Sequence, residues 1–135
     1  MEVLVRNAEK SQQMYDAFKR GDIPFILSNC HKDCIWEVMG QPDIPYAGIY
    51  HGPDDIGKFF QKLNEHVEVT EMVPEHHLEV GNLVVTTGHW TATVRKTNRP
   101  ITSIFAMFDE FNEEGKLVHF RDCYDTLAAA KAFKG

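Results

Sequence analysis

The chain has 135 residues, enough for one domain built around a single core. Apolar residues make up 43% and charged residues 25%, the profile of a soluble globular protein. The formal net charge of -6 argues against sequence-independent nucleic-acid binding, which needs Lys and Arg to neutralise phosphates.

The N-terminus, MEVLVRNAEK, has no apolar run long enough for a signal peptide, and no stretch approaches the roughly 20 apolar residues of a membrane span. Its first periodic segment is Leu4, Ala8, Ser11, Tyr15 and Phe18, whose spacing predicts one helical stripe. Gly21 is placed to end that helix, because glycine enters the left-handed region freely. Asp22 is then a cap for a short second helix with Pro24 in its first turn and Phe25, Ile26 and Cys30 on its buried face. Asp33 to Val38 alternates as a strand, with Trp36 and Val38 sharing a face opposite Ile35 and Glu37. A loop with Gly40, Pro42, Pro45 and Gly48 follows. Gly52-Pro53-Asp54-Asp55 opens a third helix with the buried stripe Ile56, Phe59, Phe60 and Leu63.

The remainder reads as β structure. Glu68 to Val73 alternates, Pro74 interrupts it, and Glu75 to Val80 resumes as a strand. Gly81-Asn82 fits a tight hairpin turn. Leu83 to Arg95, Ile101 to Phe111 and Lys116 to Tyr124 are three more strands, and Thr126 is placed to cap a final alanine-rich helix. Three helices followed by a run of antiparallel strands make an α+β chain, with helices on one face of the sheet. The three cysteines, Cys30, Cys34 and Cys123, cannot all pair internally, and a reduced, cytoplasmic setting is the simplest expectation.

Several features, in order, resemble the NTF2-like superfamily in its SnoaL-like and ketosteroid-isomerase-like branch. They are Tyr15 with Ala17, Phe18, Gly21 and Asp22; Trp36; Tyr50-His51-Gly52; Phe59-Phe60; and Gly115 to Thr126, reading GKLVHFRDCYDT, with Leu127. The resemblance covers nearly the whole chain, residues 15–133, and implies one domain over residues 1–135. Its fold would be an NTF2-like cone: three N-terminal helices packed on a curved antiparallel sheet, with a short C-terminal helix. It further implies an apolar pocket for a small hydrophobic molecule and a homodimer formed through the sheet. The superfamily holds isomerases, cyclases, dehydratases and many non-catalytic domains, so fold alone does not decide function.

Ketosteroid isomerases use a carboxylate base on the first strand, plus a helix Tyr and a protonated carboxylic acid as oxyanion donors. Tyr15 matches the helix Tyr. The base position falls at Val38, the acid position at Met107 and the supporting aromatic at Phe60, so two of the three chemical groups are missing. SnoaL-type cyclases instead carry an Asp base on the last strand, which Asp122 matches. Period-two alternation puts Phe120, Asp122 and Tyr124 on one face and His119, Arg121 and Cys123 on the other. The resemblance puts the first set in the pocket. Asp122 would then be the base and Tyr15 its hydrogen-bond partner or an oxyanion donor. Trp36, Val38, Phe59, Phe60, Trp90, Met107, Phe120 and Tyr124 would line the pocket, or simply fill the core.

Alternatives stay open: a binding domain without catalysis, or a dimerisation module whose pocket is filled by its own side chains. Arg121 is expected in an ion pair or a dimer face. Cys30, His31 and Cys34 lack the second ligand pair of a zinc site, His76 and His77 alternate faces, and Cys123 has no evident His partner. His51 is a candidate for the pocket rim. No phosphate loop, nucleophile elbow or dinucleotide fingerprint is present, and no metal, cofactor, nucleic acid or membrane partner is implied.

Overall fold

The computed structural model of the chain describes residues 6–135. Leu4, the first member of the expected helical stripe, lies outside them. Helix α1 (Asn7–Lys19) buries Ser11, Met14, Tyr15 and Ala17. Gly21 follows at φ +77°, the left-handed value that stops the helix. Asp22 caps α2 (Ile23–Ser28), its carboxylate accepting from the Phe25 N–H at 3.2 Å.

Strand β1 (Cys30–Val38) starts before the expected Asp33 and is irregular between Cys30 and Ile35. The loop after it leads into a short strand, β2 (Gly48–His51), which alternation alone did not reveal. Helix α3 (Gly52–His66) buries Ile56, Phe59 and Phe60. Then come β3 (Val67–Val80), β4 (Leu83–Val94), β5 (Pro100–Phe111), β6 (Leu117–Tyr124) and α4 (Thr126–Lys134).

Three expectations change. Pro74 does not divide β3; the register only shifts there, between Pro74 and His76. The reason is position: β3 is an edge strand, where a missing N–H breaks no interior ladder. Gly88 of β4 lies opposite Pro74, and any Cβ there would collide with the Val73 carbonyl. The cap of α4 is Asp125, not Thr126: its carboxylate accepts from the Ala128 N–H at 3.0 Å. Finally, the sheet is mixed. Its order is β2-β1-β6-β5-β4-β3, with β1 and β6 parallel and every other pair antiparallel.

The sheet is open and curved, and α1 and α3 pack on its inner face. Inner-facing residues of β4 and β5 alternate with outer ones along almost their whole length: Val84, Thr86, Trp90, Ala92 and Val94 on β4, and Ile101, Ser103, Phe105, Met107, Asp109 and Phe111 on β5. No helix among the described residues is long and apolar enough to cross a membrane.

Candidate functional site

Asp122 lies near the end of β6, directly opposite Met107 on β5 and beside Val38 on β1. The row continues to Thr86 on β4 and His77 on β3. The three strand positions compared with related enzymes therefore share one rung of the sheet. Facing that rung, α1, α2 and α3 leave a cavity of about 90 Å³. This is several times the roughly 10–15 Å³ that one water requires.

Phe120, Asp122 and Tyr124 all line the cavity, as do Tyr15, Trp36, Phe59, Phe60, Trp90 and Met107. Val38 does not: it is buried beside Asp122 but is not part of the wall. The opposite face of β6 carries different chemistry. There His119 Nε2 lies 2.7 Å and Arg121 3.6 Å from the Glu37 carboxylate. The hydrogen bond from His119 holds the Glu37 carboxyl below its usual range. His51 is exposed at the N-terminus of α3, its N–H donating to Asp55 at 2.8 Å, and does not line the cavity. Among the described residues no group of three His, Cys, Asp or Glu side chains converges as for a metal.

Asp122 is half-buried as a residue, yet its Oδ1 is out of reach of solvent and has no hydrogen-bond partner. Desolvation alone pushes its carboxyl up to about 7. Tyr15 is not that missing partner. Its hydroxyl donates to Met107 Sδ at 2.9 Å, and burial followed by the charges of Asp109 and Asp122 drives its pKa well up. The Thr86 hydroxyl, close to Tyr15, is itself engaged with His77 Nδ1 at 2.8 Å.

Two wall residues with polar side chains were not anticipated. Asp109 is 3% exposed, accepts from Ser11 Oγ at 2.7 Å, and is pushed up to about 6 by burial against the lowering effect of that bond. Its signal was present: Phe105, Met107, Asp109 and Phe111 form an apolar row with one carboxylate, the pattern that singled out Asp122. Tyr46 comes from the Pro/Gly loop between β1 and β2, where no periodicity marks a buried side chain. Its ring meets Phe59 and Phe133 edge-on, and its carbonyl accepts from the Tyr50 hydroxyl at 2.8 Å. The Tyr124 hydroxyl lies beside it and donates to the Met39 carbonyl at 2.7 Å.

No curated protein matches the chain by sequence. Solved structures do match. An NTF2-like protein of unknown function from Burkholderia pseudomallei is 25% identical, with 97% of this chain and 100% of that one covered at a TM-score of 0.88. An NTF2-like protein from Burkholderia xenovorans is 28% identical, covering 94% and 95% of the two chains, with a TM-score of 0.84. A Shewanella denitrificans protein named after the SnoaL-like polyketide cyclases shares the fold at 17% identity, covering 95% and 96%, with a TM-score of 0.76. The SnoaL-like domain family itself matches residues 11–120. With that span matched and the NTF2-like fold in place, the chain belongs to the SnoaL-like family.

Proposed function

We propose that the chain holds a small or medium apolar carbonyl compound in this cavity and moves a proton on it without a cofactor, with Asp122 as the base. The observation that carries this reading is Asp122 itself: a desolvated carboxylate on a cavity wall, with one oxygen unpartnered and its pKa raised to about 7. A base poised near neutrality combines a populated ionised form with real proton affinity. Tyr15 is the proposed oxyanion donor. Its proton rests on a thioether, a weak acceptor that a ligand oxygen can replace. The aromatic walls supply binding by burial, at roughly 25 cal/mol per Å² of apolar area. Similarity to a protein named after polyketide cyclases supports the same ligand class.

Deuterium uptake from D2O into an enolisable ketone, 2-tetralone, tests the proposal by NMR. The wild-type chain accelerates exchange, and the rate rises with pH through about 7, as the Asp122 carboxylate forms. Asp122→Asn loses about 100-fold or more of that rate. A variant that exchanges as fast as wild type refutes Asp122 as the base. Wild-type binding of the ketone without exchange makes the chain a binding domain.

A further inference from the structure

The polar groups of the cavity wall differ in what they leave available. Trp36 Nε1 and the Tyr46 hydroxyl are out of reach of solvent, so neither presents its N–H or O–H to the cavity. The Tyr15 hydroxyl donates to Met107 Sδ at 2.9 Å, and the Tyr124 hydroxyl to the Met39 carbonyl at 2.7 Å. What remains toward the cavity is acceptors: hydroxyl lone pairs, thioether sulfurs and the Asp122 carboxylate. Only Oδ1 of that carboxylate is sealed off. Asp122 is half-buried as a residue, and Oδ2 is its oxygen at the wall.

The wall also carries a single sign. Asp109 and Asp122 are its carboxylates, and it contains no Lys, Arg or His. Its other ionisable groups, Tyr15 on α1, Tyr46 ahead of β2 and Tyr124 on β6, carry only negative charge when they ionise. Met107 and Val38, the cross-strand neighbours of Asp122, are neutral. His77 ends the same rung but bonds to Thr86 at 2.8 Å and stays out of the wall, as does Cys123. Buried charges in proteins are ordinarily paired, and here the chain supplies no cation. Rings stand where one would sit. Phe120 and Tyr124 share the inner face of β6 with Asp122, each two residues away, roughly 7 Å along a strand. Trp36 stacks on Phe120 with centroids 3.8 Å apart, and Trp90 meets Tyr124 edge-on at 6.0 Å. Aromatic faces attract a cation within about 6 Å of the ring centre.

We propose that the cavity binds a small hydrophobic amine as its ammonium ion, with the N–H groups toward the Asp122 carboxylate and the apolar body among the rings. This goes beyond the proton-transfer reading and does not depend on it: Asp122 acts as a counter-ion rather than a base, and the two ligand classes compete for one space. An ammonium supplies the donors that the carboxylate lacks and offsets the desolvation that makes it hold its proton. A neutral ligand of the same shape gains only the burial of its apolar surface.

Calorimetric titration of the full-length chain with three probes of one shape tests this: 2-aminotetralin, the alcohol 2-tetralol and the hydrocarbon tetralin. At pH 8, where the Asp122 carboxylate is ionised, wild type binds the amine at least about tenfold more tightly than the alcohol. At pH 6 that preference falls about tenfold, because a group titrating near 7 is then mostly protonated, while the alcohol and the hydrocarbon hold within about twofold. Asp122→Asn removes the preference at pH 8 and leaves tetralin within about twofold. An amine bound no more tightly than the alcohol at pH 8, a preference that Asp122→Asn retains, or no binding of any probe overturns the inference. The wild-type pH dependence decides it if the variant fails to fold: an equal preference at pH 6 and pH 8 overturns it as well. Deuterium exchange on 2-tetralone separates this reading from the catalytic one. Exchange without amine preference overturns the ammonium site and spares the proposed base. Amine preference without exchange supports the site and removes the proposed catalysis.

Discussion

A carboxylate that folding strips of water without supplying a partner holds its proton more tightly than it does in the unfolded chain. Asp122 is such a group, raised from 3.8 to about 7, and Asp109 is raised to about 6 because burial outweighs its one bond from Ser11. Between roughly pH 4 and pH 7 the folded state therefore binds protons that the unfolded state has already released. The contribution of these two groups to stability is greatest below pH 4, falls as pH rises through that window, and is flat above it. Asp122→Asn removes the larger contribution. We predict that it raises the unfolding free energy at pH 8 by a few kcal/mol, at about 1.4 kcal/mol per pKa unit, and flattens the pH dependence. Denaturant titrations at pH 4 and pH 8 measure both effects, and a variant less stable than wild type at pH 8 contradicts the assignment. A site residue whose removal stabilises the fold is the expected signature of function held at a cost to stability. The Asp122 carboxylate was legible in the sequence because alternation along a strand is local. Its lack of a partner was not, since that depends on where Tyr15, Tyr46 and Trp36 come to rest.

At the level of the elements, most boundaries follow from short-range rules, and the exceptions are instructive. Asp125 and Thr126 are adjacent residues of types that both cap helices well, and only the fold shows which carboxylate or hydroxyl meets the Ala128 N–H. We predict that Asp125→Ala costs about 0.5–2 kcal/mol in thermal or urea unfolding, whereas Thr126→Ala costs a few tenths at most. Pro74 breaks alternation in the sequence, yet β3 runs through it because the strand lies at the sheet edge. The four residues of β2 are too few for a periodic signal, and they become a strand only by pairing with β1 at Trp36 and Tyr50. That pairing also anchors the loop that brings Tyr46 to the cavity.

Across the whole molecule, the two faces of the sheet divide the chemistry. The inner face carries the cavity, and the outer face carries the Glu37, His119 and Arg121 cluster together with Ile104, which is 77% exposed. We propose that a second copy covers this outer face, as the family resemblance implies. Sedimentation equilibrium is then expected to give a homodimer near twice 15.5 kDa, which Ile104→Asp shifts toward monomer. A monomeric wild type at micromolar concentration rules this out.

Sequence by itself determined the helices, the long strands, the α+β class and the shared face of Phe120, Asp122 and Tyr124, because spacing, caps and turns act over a few residues. Tertiary structure alone decided the parallel pairing of β1 with β6, which closes across α3 and the β3–β5 meander. It alone set Asp109 and Tyr46 around one cavity with Asp122. Such contacts join residues tens of positions apart, and whether a buried polar atom finds a partner is settled by the packing of all its neighbours at once.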